Sequence, residues 1–179
     1  EITFSEILLA HINGGDFKTI PGLTYRGFTT EMRTRVRDLN IFPSPYLTGV
    51  FDELLTLPYH YQTVWETDRG CPYACTFCDW GGLTYSKLKK FPEQKVLQEL
   101  HWMAQNKMDY VTIADANFGV FTDRDMKFTE ELVELQKEYG YPQVVDATWY
   151  KNSSDEILEI VKKFISSGFN IPITINCFF

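Results

Sequence analysis

The chain has 179 residues, 44% hydrophobic, 16% aromatic and 23% charged, which excludes disordered and collagen-like classes and predicts a buried core. Its 24 acidic residues outnumber 17 basic ones, for a formal net charge of −7, so there is no general electrostatic attraction to nucleic acid, and the short basic run at 87–90 reads as a solvated turn. No stretch approaches the roughly 20 continuous apolar residues that cross a bilayer, and no basic region followed by an apolar core opens the chain, so a soluble, cytoplasmic protein is expected.

In chain order, residues 5–12 are apolar on one helical face and end at Asn13-Gly14-Gly15, a helix terminator. Residues 19–26 suggest a short strand with a Pro-Gly turn. Pro43 and Pro45 then forbid helix and central strand alike, so 27–60 is expected to be a connector. From residue 61 the pattern alternates. Strands are predicted at 61–67, 110–114, 144–149 and 171–175 from their β-branched and aromatic runs.

Helices are predicted between the strands. The first covers 92–107, with Val96, Leu97, Leu100, Met103 and Ala104 on one side and Pro92 in its first turn. The second covers 124–139, burying Phe128, Leu132, Leu135 and Tyr139. The third opens on the capping box Ser153-Ser-Asp-Glu156, buries Ile157, Ile160, Val161 and Phe164, and ends at Gly168. Strand and helix in alternation predict an α/β fold with parallel strands joined by right-handed crossovers. Chemistry in such sheets sits at the C-terminal strand ends, which selects 66–78, 115–119, 151–152 and 176–177 as one face. The chain opens without Met and closes on a strand-like run, so it is expected to be a piece of a longer protein.

Four cysteines are too few for a disulfide-stapled scaffold, and three of them fall within eight residues, Cys71-Pro-Tyr-Ala-Cys75-Thr-Phe-Cys78. Three thiolates wrapped by glycine and proline can converge on one point, and thiolates hold iron–sulfur clusters. In a cubane, three cysteines leave one iron open to a small chelate. Two rival readings stand beside this one: a zinc-stabilised interaction module, for which no fourth ligand has regular spacing, and a simple electron-transfer protein, which needs a fourth nearby cysteine. Cys75-x2-Cys78 as a redox pair would leave Cys71 surplus. Cys177 reads as a core cysteine.

The loop resembles the signature of the radical S-adenosylmethionine superfamily, Cys-x3-Cys-x-aromatic-Cys, with Phe77 in the aromatic place. Its flanks, together with Pro43-Ser-Pro-Tyr-Leu-Thr-Gly49 and Asp115-Ala-Asn-Phe-Gly119, resemble the cobalamin-dependent branch. The resemblance implies a partial (βα) TIM-like barrel over 61–179, truncated after about four strands, preceded at 1–26 by the tail of a Rossmann-like cobalamin-binding domain. It also implies that Cys71, Cys75 and Cys78 ligate a 4Fe-4S cluster whose open iron chelates S-adenosylmethionine, with Phe77 near the adenine. Asp115 and Asn117 stand where the family holds the methionine amino group, in place of its usual Gly-Gly-Glu-like segment. The implied activity is reductive cleavage to a 5′-deoxyadenosyl radical that abstracts a hydrogen from a small-molecule substrate. Methyl transfer or rearrangement, cobalamin held mainly by an upstream domain, and a flavodoxin or ferredoxin reductant go with it.

Weaker candidates are Asp146, Lys151 and Asn176 at strand ends, and Glu66 with Arg69 beside the loop, which read either as cluster-tuning charges or as a mutual salt bridge. Trp65, Trp80, Trp102 and Trp149 read as core and cluster shielding.

Overall fold

The computed structural model describes residues 1–78, 87–151 and 155–170, which divide into two units, Glu1–Arg37 and Asp38–Phe179. In the first unit, α1 (Ile2–Asn13) stops at Gly14, whose φ of 66° is the left-handed cap that a residue without Cβ adopts freely. Phe4, Leu8 and Ile12 leave one apolar stripe of this helix exposed. A hairpin follows, β1 (Thr24–Tyr25) with β2 (Phe28–Thr29). Positive φ at both Arg26 and Gly27 gives its turn the hand that suits twisted strands. Arg33 donates to Thr3 Oγ1 at 2.8 Å and pairs with Glu6, fastening the following segment to α1. The hairpin spans residues 26 and 27, and the unit boundary falls at Arg37.

The second unit is built on a parallel sheet in the order β3 (Gln62–Trp65), β6 (Tyr110–Phe118), β7 (Val144–Trp149). Helices α2 (Glu93–Gln105), α3 (Thr122–Tyr139) and α4 (Asp155–Ser166) pack in succession, α2 on α3 and α3 on α4. The apolar periods read from the sequence are the faces they bury: Val96, Leu100 and Met103 from α2, Phe128, Leu132 and Leu135 from α3, Ile157, Ile160 and Phe164 from α4. Tyr139 is exposed instead, because it lies in the last turn of α3, just before the Gly140 cap. The capping box at 153–156 and the strand at 171–175 lie wholly or partly outside the described residues. Asn170 makes a parallel bridge to Val144.

Two features differ from expectation. Residues 38–60 are packed rather than merely connecting: Tyr46 and Phe51 cluster with Trp102 of α2 at ring separations of 5.2 and 6.2 Å, and Tyr46 Oη donates to the Val64 carbonyl while accepting from Thr63 Oγ1 at 2.7 Å. The prolines prevent regular structure there, and the aromatic rings supply the anchorage instead. The second predicted strand runs on to Phe118, with a register irregularity between Ile113 and Phe118. Asp115 and Asn117 therefore belong to a strand, not to a turn.

Candidate cluster site

The strand β6 alternates, with Val111, Ile113, Asp115 and Asn117 all buried on one face. Val111 and Ile113 fill the core, and Asp115 and Asn117 carry the same face past its end, toward the loop that follows β3. That loop is held at its neck by a two-residue antiparallel pair, β4 (Asp68–Arg69) with β5 (Lys89–Lys90), and by Phe91 N–H donating to the Thr67 carbonyl at 3.0 Å. The cysteines thus sit on a segment whose two ends are tied together.

Cys71, Cys75 and Cys78 are free and half-buried. Cys78 N–H donates to the Cys75 carbonyl at 3.2 Å, a turn that brings these two residues close. Asn117 Nδ2 donates to Cys71 Sγ at 3.3 Å, and Lys151 Nζ to Cys75 Sγ at 3.6 Å. Lys151 also lies over the rings of Tyr73 and Phe77, 5.5 and 6.0 Å from their centroids, while Tyr73 stacks on Tyr150 at 5.9 Å. The C-terminal ends of β3, β6 and β7 therefore meet at the cysteine loop, as the positional argument required. Asn152, Asn176 and Cys177 lie outside the described residues.

Asp115 is committed elsewhere. Its Oδ1 accepts from the N–H groups of Thr67 and Asp68 at 2.7 and 3.0 Å, and its Oδ2 accepts from the Thr67 hydroxyl. Behind it lies a buried set that sequence reading missed. Arg124 of α3 reaches Asp68 at 3.0 Å, Asp125 at 2.7 Å and Thr67 Oγ1 at 2.8 Å, with Asp115 at 4.0 Å. Asp125 Oδ2 accepts from the N–H groups of Gly119 and Phe121 at 2.8 and 3.2 Å, closing the turn into α3. Three buried aspartates share one arginine. Burial raises all three carboxyls above the ordinary range, and Asp68, with Asp115 adding like-charge repulsion against the pull of Arg124, stands at about 7. The available signal was polar residues continuing the Val111/Ile113 face, and Arg124 one turn before Phe128.

Glu66 and Arg69 form a two-pronged pair, both contacts 2.8 Å, with the guanidinium 4.9 and 5.2 Å from the rings of Phe42 and Phe91. Their mutual salt bridge is the reading the structure bears out. Trp65 is fully buried against Phe128, and Trp102 belongs to the aromatic cluster under residues 38–60.

Among the described residues, no three Cys, His, Asp or Glu side chains already converge as a set of metal donors. The residues nevertheless fit a thiolate-held cluster in kind. Three free thiols stand on one tied loop, two receive N–H donors, and Asn117, 1% exposed, has an Oδ1 with no hydrogen-bond partner among the described residues. A buried amide oxygen left unpaired costs about 1–3 kcal/mol unless a ligand supplies a donor.

No family model matches the chain. It is 36% identical over 171 residues, 90% of its length, to the cobalamin-dependent radical SAM methyltransferase TokK of Streptomyces tokunonensis. This chain is a relative of the cobalamin-dependent radical S-adenosylmethionine methyltransferases. A second relative, 33% identical over 172 residues, is the 2-(S-pantetheinyl)-carbapenam-3-carboxylate methyltransferase of Streptantibioticus cattleyicolor. The chain spans about a quarter of the length of these relatives, 25% in each case. Its fold is similar to that of the radical S-adenosylmethionine methyltransferase TsrM of Kitasatospora setae, solved with tryptophan and a SAM analogue bound. The TM-score is 0.61 and the identity 15%, over 96% of this chain and 35% of that one. The cobalamin-branch resemblance read from the cysteine loop thus extends along nearly all of the chain.

Proposed function

We propose that this chain is the cluster-bearing part of a cobalamin-dependent radical S-adenosylmethionine methyltransferase. The observation that carries the reading is the meeting, at one sheet edge, of the Cys71–Cys75–Cys78 loop with the buried amide of Asn117, whose oxygen lacks a partner among the described residues. A 4Fe-4S cluster bound by the three thiolates would supply one electron for cleavage of S-adenosylmethionine to methionine and a 5′-deoxyadenosyl radical.

The chain's own residues divide the remaining work. Asn117 Oδ1 would accept from the methionine ammonium, a part that Asp115 does not share because its carboxylate oxygens already hold Thr67 and Asp68. Asp115 instead fixes the strand end from which the cysteine loop departs. Phe77, 68% exposed, offers a ring face to the adenine. Tyr73 and Tyr150 wall one side of the loop against water. Residues 1–26 would end an upstream cobalamin-binding domain, and a flavodoxin- or ferredoxin-type protein donates the electron. Methyl transfer is favoured over rearrangement, because the sequence relatives and the structural neighbour are methyltransferases.

The test is low-temperature electron paramagnetic resonance on the chain, reconstituted anaerobically with iron and sulfide and reduced with dithionite. A 4Fe-4S signal that shifts on adding S-adenosylmethionine and vanishes with Cys75→Ala supports the reading. Bound zinc in place of iron, or a cluster signal indifferent to S-adenosylmethionine, sinks it in favour of an interaction module or an electron carrier.

A further inference from the structure

We infer that Asn117 and Lys151 set the reduction potential of the cluster held by this loop, each through an N–H···S hydrogen bond to a different cysteine. The inference rests on the proposed cluster and adds to it a division of labour among residues that bind no iron. Asn117 Nδ2 is 3.3 Å from Cys71 Sγ, and Lys151 Nζ is 3.6 Å from Cys75 Sγ. Among the described residues no side-chain donor reaches Cys78 Sγ, so the donated hydrogen bonds fall on Cys71 and Cys75.

A donor hydrogen on a thiolate withdraws electron density from the sulfur, so the added electron of the reduced state is better tolerated and the potential rises. The amide of Asn117 must present nitrogen, not oxygen, to a thiolate, because two electron-rich atoms repel at this distance. That orientation leaves Oδ1 on the other end of the same planar group, so one side chain addresses the cysteine and the ammonium site together. Its place on β6, with its side chain 1% exposed, shields its bond from salt. Lys151 brings a full charge but is exposed, so its influence is open to screening. In setting the potential both act through the cysteines, so Lys151 is a positioning residue, while Asn117 also faces the ammonium.

The test is potentiometry of the reconstituted full chain, following the reduced-cluster signal at low and high ionic strength. Lys151→Met is expected to lower the midpoint potential at low salt and to converge on the parent at high salt, while Lys151→Arg keeps the parent value. Asn117→Leu is expected to lower it equally at both. Exposed Lys151 tolerates substitution, so its pair of variants decides the matter even where Asn117→Leu folds poorly. Unchanged potentials in Lys151→Met and Asn117→Leu samples carrying the parent's iron and sulfide content would overturn the inference and leave the proposed function standing. A parent chain that assembles no cluster would overturn both, and that is seen before any variant is compared.

Discussion

The carboxylate of Asp115 holds Thr67 and Asp68 by three hydrogen bonds at once: Oδ1 accepts from the Thr67 N–H at 2.7 Å, Oδ2 from the Thr67 hydroxyl, and Oδ1 again from the Asp68 N–H at 3.0 Å. An acid that resembles a cofactor ligand in sequence is, in the fold, the peg that ties the end of β3 to β6.

Asp115→Ala should therefore act on stability before it acts on chemistry. Two buried N–H groups and a hydroxyl lose their acceptor and Arg124 loses a neighbouring negative charge, for an expected cost of about 3–5 kcal/mol. Asp115→Asn, which keeps one acceptor, should cost less. Urea denaturation of both variants checks the order, and equal costs would mean that the carboxylate is not a clamp.

Asp68 gives a pH prediction. Its folded value of about 7 lies above its ordinary 3.8, so the folded form retains a proton that an unfolded chain releases. The stability due to that proton is fully present below about 3.8 and is lost as the pH rises through about 7. The raised carboxyls of Asp115 and Asp125 act in the same sense. Melting temperature is expected to fall between pH 6 and pH 8, and Asp68→Asn, which imitates the protonated form, is expected to flatten that fall. A parent curve that rises over the interval would contradict the assignment.

Gly119→Ala meets two obstacles. The position has a φ of 97°, and a Cβ there would stand 2.2 Å from Ile157 Cδ1. The terminal methyl of Ile157 can swing aside, but the backbone angle is unfavourable for any L side chain, so a loss of about 1–3 kcal/mol is expected. Adding Ile157→Val should recover only part of it. Complete recovery in thermal melts would show that crowding, not the angle, is the obstacle.

Arg69 forms its two-pronged pair with Glu66 between Phe42 and Phe91, and a lysine reproduces neither the fork nor the flat face. Arg69→Lys is expected to cost about 1 kcal/mol, measured by denaturation, with iron loading of the loop unchanged. Loss of iron with full stability would instead make the guanidinium part of the cluster site.

Much of the fold was legible because apolar periodicity is a local property. Phe128, Leu132 and Leu135 announce the inner face of α3, and Val144 to Trp149 a strand, without reference to any partner. The cysteine spacing was legible for a similar reason: ligands that must converge from one short loop are written close together. The partners of Asp115 were not legible, because a carboxylate after an apolar run looks the same in sequence whether it faces a ligand or a neighbouring strand's backbone.

Local residue patterns are enough to specify the alternation of strands and helices, the three thiols, and the strand ends at which they would meet other polar groups. Which polar atoms are already satisfied emerges from the packed fold alone. Asp115 is taken by Thr67, and Arg124, 57 residues further along, closes over the same threonine, whereas Asn117 gives its N–H to Cys71 and keeps an oxygen without a partner. Hydrogen bonds are settled by distances of a few ångströms between residues far apart in the chain, and a sequence records only the donors and acceptors, not which of them the fold pairs.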